Sequence, residues 1–114
     1  MRRGGSWSER QKLQPGDGGP DDLFGASVAL SGDGDVAFVG APDGLLFKLG
    51  AAYVFVRRAG SWSERQKLGA SDAAPRDFFG DSVALSEDGD VELAGARGKD
   101  DFKGAAYVFS GGED

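Results

Sequence analysis

The sequence contains no cysteine and no histidine. The first absence removes disulfides, thiolate metal sites and cysteine nucleophiles together, and it leaves the redox compartment open. The second removes the commonest general base and the usual zinc ligand. No apolar run approaches membrane-spanning length, and MRRGGSWSER lacks the apolar stretch of a signal peptide, so neither membrane insertion nor an export route is expected from it. Basic charge is also scarce. Against 19 Asp+Glu stand 13 Lys+Arg, and the net charge of −6 disfavours nucleic acid and anionic membrane surfaces. The pairs Arg2-Arg3 and Arg57-Arg58 are too few to reverse that. The glycine-rich segments have no Lys-Ser/Thr or helix after them, so a phosphate loop is not supported.

What the chain has in excess is glycine, 20 residues in 114, without a collagen-like period. Clustered aromatic and branched residues between the glycines read as folded β structure with many turns. The length bounds it to one domain.

The organising feature is a repeat. FGASVALSGDGDVAFVGA at 24–41 returns at 79–96 as FGDSVALSEDGDVELAGA, identical at 13 of 18 positions. RRGGSWSERQKL at 2–13 returns at 57–68 with one substitution in 12. GAAYVF occurs at 50–55 and again at 104–109. A period of this length points to a tandem array of supersecondary units.

Within each unit the patterning is that of strands. In 6–13, Ser8, Arg10 and Lys12 share one face while Trp7 and Leu13 lie on the other, as in an edge strand. QPGDGGPDD at 14–22 is a loop, 27–30 a short strand, and Gly32-Asp33-Gly34 a hairpin turn. Val36 and Phe38 oppose Ala37 and Val39, and Tyr53 and Phe55 oppose Val54 and Val56. These strands are apolar on both faces and should be covered on both. Residues 42–49 form a loop carrying Leu45, Leu46 and Phe47. No segment carries a helical period. The expected fold is all-β: four-stranded antiparallel meanders stacked radially as the blades of a β-propeller.

Phe24-Gly25, then Gly40-Ala41-Pro42, then Gly50-Ala51-Ala52-Tyr53-Val54-Phe55 closely resemble the FG-GAP repeat, the blade unit of the integrin α-subunit head and of many bacterial and archaeal surface proteins. The resemblance covers essentially the whole chain twice. It implies an adhesion or binding module, mostly extracellular or at the cell surface, in rings that are often seven-bladed. It also implies calcium in the turn between the first two strands. Here the ligand positions fall on Ala29, Ser31, Asp33 and Ala37 in the first copy. In the second they fall on Ala84, Ser86, Asp88 and Glu92, so the calcium candidate is Ser86, Asp88, Asp90 and Glu92. Two or three side chains are too few for six to eight oxygens, and plain hairpin turns with no bound cofactor are expected.

Other chemistry is equally thin. Asp21, Asp22, Asp43, Asp100 and Asp101 could pair as acid and base for glycoside cleavage, but carboxylates in such loops are usually solvated; no catalytic residue is assigned. Trp7 and Trp62 could stack on a sugar, although their place in a repeated strand favours packing. Glu92 replaces Ala37 on an apolar face and Arg97 replaces Pro42 in the same copy. Glu92 is therefore expected to pair with Arg97 or with a cation of a neighbouring chain.

The expected organisation is 1–13 as an outer strand donated to another chain, 14–68 as a complete blade and 69–114 as a blade without its outer strand. Trp7, Leu13, Tyr107 and Phe109 are the assembly residues. The expected function is a non-catalytic structural module whose partner is itself. Two blades per chain would close between chains, as a cyclic trimer in preference to a tetramer. The alternatives are a lectin-like module binding a glycan or glycoprotein through loops such as 42–49, and a fragment of an enzyme-associated propeller. The near-identity of the copies and the abrupt ends also suit an excised, reconstructed or designed fragment.

Overall fold

The computed structural model describes residues 6–17, 22–42 and 49–110. Arg2, Arg3, Asp21, Asp43 and the apolar trio Leu45, Leu46 and Phe47 lie outside the described residues. Among the described residues, seven strands form two antiparallel sheets. The first has the order β1 (Ser27–Leu30), β2 (Val36–Ala41), β3 (Ala51–Arg58), β4 (Ser61–Leu68). The second has the order β5 (Phe79–Leu85), β6 (Val91–Ala96), β7 (Ala105–Ser110). All neighbours are consecutive, so each sheet is a meander, as the alternation of apolar runs and Gly/Asp turns predicts.

The β1–β2 and β5–β6 turns have the same chemistry. Asp33 Oδ1 accepts from Ser31 Oγ at 2.7 Å and from the Asp35 amide at 3.0 Å. Asp88 Oδ1 accepts from Ser86 Oγ at 2.9 Å and from the Asp90 amide at 3.0 Å. Gly34 and Gly89 follow with φ of 80° and 79°, a left-handed backbone that glycine adopts without steric cost. A second glycine requirement lies between the sheets, where the Gly40 Cα faces the Gly80 carbonyl with no room for a Cβ.

Register sorts the side chains onto two faces. Val39 lies opposite Tyr53 and Ala37 opposite Phe55, forming a tyrosine face to which Phe24 adds its ring 5.6 Å from that of Tyr53. Val36, Phe38 and Val54 form the opposite, valine face. In the second sheet Phe79 stands 5.5 Å from Tyr107 and 6.1 Å from Phe109. The tyrosine face of the second sheet packs on the valine face of the first, with Phe38 fully buried between them. Both faces of β2 and of the first part of β3 are thus covered, as these doubly apolar strands require.

Two elements depart from expectation. Lys99–Phe102 forms a one-turn helix, α1, in the loop where the second copy differs most from the first. Residues 7–15 form no strand, although β4 carries the same SWSERQKL sequence. Beside β4 stands β3 to accept its backbone hydrogen bonds. Among the described residues no strand pairs its backbone in a ladder with 7–15, and β structure depends on that pairing more than on intrinsic preference.

Candidate interaction surface

The segment before β1 is ordered by side-chain links to the first sheet. Gln11 Oε1 accepts from the Trp62 amide and its Nε2 donates to the Trp62 carbonyl, both at 3.0 Å. The Gly16 amide donates to Glu64 Oε1 at 2.9 Å. Asp17 accepts from the Tyr53 hydroxyl at 2.8 Å and from Lys67 Nζ at 2.6 Å. The Lys67 and Tyr53 bonds hold the Asp17 carboxyl below its ordinary value. Burial, followed by the Asp17 bond, pushes the Tyr53 phenol well up. Leu13 packs on the tyrosine face beside Phe24 and Trp62.

These contacts are a copy of those at the second sheet. Leu68, at the end of β4, packs in the cluster containing the second tyrosine face. Asp72, 55 positions after Asp17, accepts from the Tyr107 hydroxyl at 2.7 Å and is held below its ordinary value, first by that bond. Residues 11–17 therefore stand before the first sheet as 66–72 stand before the second. The difference is that 61–68 also belong to a sheet.

Of the expected assembly residues, Leu13, Tyr107 and Phe109 lie in or against the apolar clusters. Trp7 is 74% exposed. Among the described residues nothing pairs with the outer edge of β7. The valine face of the second sheet is open: Leu93 and Val108, the counterparts of Phe38 and Val54, are 40% and 69% exposed. On the tyrosine face of the first sheet Val28 and Leu30 are open, whereas their counterparts Val83 and Leu85 pack between the sheets. Leu93, Val108, Val28 and Leu30 thus each have a counterpart that is covered elsewhere in the chain.

Of the two partners expected for Glu92, the structure places Arg97 elsewhere. Arg97 binds Asp81, Nε to Oδ2 at 3.1 Å, and lies 4.9 Å from the Phe78 ring centroid. Five residues along an extended strand span about 16 Å, which separates Glu92, near the start of β6, from Arg97, just past its end. Glu92 is buried on the tyrosine face opposite Phe109. Burial and then the charge of Asp90 raise its carboxyl above the ordinary value, while Arg65 opposes the rise.

In the calcium candidate, Ser86 and Asp88 meet inside the turn, while Glu92 faces the other sheet. Asp33 is held low by Ser31 Oγ and then the Asp35 amide, and Asp88 by the Asp90 amide and then Ser86 Oγ. Among the described residues no three metal-ligating carboxylates gather. Of the acid–base candidates, Asp22 lies in the loop before β1, and Asp100 in α1 with φ 52°. Trp62 packs on the tyrosine face 5.9 Å from the Arg57 guanidinium rather than standing open.

Sequence reasoning missed Asp17, Asp72 and Gln11. The signal was present, since an Asp recurs at the repeat offset some 35 residues ahead of each Tyr of GAAYVF.

The description "FG-GAP repeat" attaches to a family model that matches residues 7–55 and 62–109, well over half of the chain. No curated protein matches the chain. Each matched unit begins in the outer-strand sequence and ends in the third strand. The unit 62–109 gives its first strand, β4, to the sheet of the preceding unit.

Proposed function

The chain belongs to the FG-GAP repeat family, and from that premise we propose that it is a non-catalytic interaction module that joins further copies of itself into a β-propeller by exchanging the outer strand 6–13. One observation carries this reading. The second repeat lends its first strand to the sheet before it, while the identical sequence at 7–13 of the first repeat joins no sheet among the described residues.

An open strand edge is a template for another chain. In the proposed assembly 6–13 of one chain adds to β7 of another. The open valine face of that second sheet meets the Val28 and Leu30 side of the first. Each joint repeats the sheet–sheet packing already inside the chain, so the interface is heterologous and must close into a ring or grow into fibres. Propellers have roughly four to eight blades. With two from each chain, six blades from three chains is the favoured ring and eight from four the next.

Deletion of residues 1–13, followed by measurement of mass and circular dichroism, is the test. The expected result is loss of the assembled species. A truncated protein that stays folded at the full-length oligomeric size would rule out strand exchange.

A further inference from the structure

Between the two sheets lies a cavity of about 410 Å³, lined in part by Val54, Val56, Gln66, Leu68, Glu92 and Phe109. It is far larger than stray packing defects, since a void of about 150 Å³ already admits a benzene ring. Its walls are β2, β3 and β4 of the first sheet and, from the second, β6, β7 and the β5–β6 turn with Asp88 and Asp90. It thus sits where a fourth strand beside β7 would face β4.

The first sheet shows what fills the matching place. There the fourth strand is present, and its Trp62 packs on the tyrosine face. The Trp62 backbone is gripped on its outer side by Gln11 through two 3.0 Å hydrogen bonds. Shifting this arrangement by one repeat turns Gln11 into Gln66, Trp62 into Trp7 and Phe55 into Phe109. Gln66 lines the cavity, and among the described residues its side chain makes no hydrogen bond. Trp7, its matching ligand, is 74% exposed in its own chain.

We infer that the cavity between the sheets is the socket for Trp7 of a second copy, whose backbone amide and carbonyl are held by the Gln66 side chain. The inference rests on the strand-exchange reading and names the residues that give it register. A strand slipped by one residue would turn the indole to the opposite face, so the socket fixes alignment as well as affinity. The Glu64 bond to the Gly16 amide has its counterpart in Glu9 of the incoming strand and the Ser71 amide. The lysine place at Asp72 differs, since Lys99 already lies 3.3 Å from that carboxylate.

Four full-length proteins test the socket: the wild type, Trp7→Ala, Gln66→Ala, and Trp62→Phe, in which Trp7 is the sole indole. Mass is followed by light scattering across a dilution series, and indole emission in the last variant. The expected results are a blue shift of Trp7 emission on assembly and a dissociation midpoint for Trp7→Ala raised roughly 30-fold, the ratio set by the about 2 kcal/mol typical of a buried aromatic anchor. Gln66→Ala should raise the midpoint in the same direction. Assembly with an unshifted midpoint and unchanged Trp7 emission would overturn the socket while leaving strand exchange standing. A wild type that is monomeric at every concentration would overturn both.

Discussion

The side-chain amide of Gln11 binds the backbone of Trp62 from both ends, accepting from its N–H and donating to its C=O at 3.0 Å across 51 residues of sequence. A side chain here does what a neighbouring strand's backbone does in a sheet. Each such bond is worth about 0.5–1.5 kcal/mol net. Gln11→Ala is expected to lower stability by about 1–2 kcal/mol on that scale and to speed hydrogen exchange of the Trp62 amide. An unchanged exchange rate would mean that residues 6–17 do not hold this position in solution.

Phe38 is fully buried between the two sheets, and Phe38→Ala would leave a cavity there. The expected loss is about 3–5 kcal/mol, enough to unfold a small domain under ordinary conditions. Its counterpart in the second sheet is Leu93, which is 40% exposed. Leu93→Ala should cost far less in dilute solution, and denaturant titration of the two variants measures the difference.

Nearly all of the fold was legible in the sequence, because the signals were local and doubled. Ser31, Asp33 and Gly34 predict their hairpin, and the same trio at Ser86, Asp88 and Gly89 repeats it. The doubly apolar strands at Val36 and Tyr53 predict two-sided cover, which the structure provides. SWSERQKL was only half legible. One sequence is a strand at 61–68 and not at 7–13, and the deciding partner, a neighbouring β3, is a tertiary fact. Glu92 and Arg97 misled because their joint substitution implies contact, whereas strand geometry holds them about 16 Å apart. The one-turn helix over Lys99–Phe102 is too short to leave a period.

Glu92 and the turn aspartates should respond to pH in opposite directions. Asp33 and Asp88 are held below the ordinary value of 3.8, so the stability they add is fully present above it and is lost as pH falls through their folded values. Glu92 is raised above 4.5 by burial, so its folded form binds a proton more readily than the unfolded chain. Its penalty is absent below 4.5 and complete once pH exceeds the folded value. Glu92→Gln is therefore expected to raise the melting temperature at pH 7, with the gain shrinking as pH falls toward 4.5. A gain independent of pH would contradict the assignment to ionisation.

Calcium is expected to bind weakly or not at all. Ser86 and Asp88 are occupied with one another, and Ala84 stands where a first ligand would be. Calorimetric titration checks this. Micromolar affinity at one site per chain would place the ion on Ser86, Asp88, Asp90 and Glu92, and would require Glu92 to turn out of the space between the sheets.

The most direct measurement is the mass of the full chain in solution by light scattering. A ring built from whole chains predicts a species at three times the 11.8 kDa chain mass, or four times if eight blades close instead. It also predicts β-rich circular dichroism for that species and no larger fibrous material. A folded, stable protein at 11.8 kDa across the micromolar range would contradict the account.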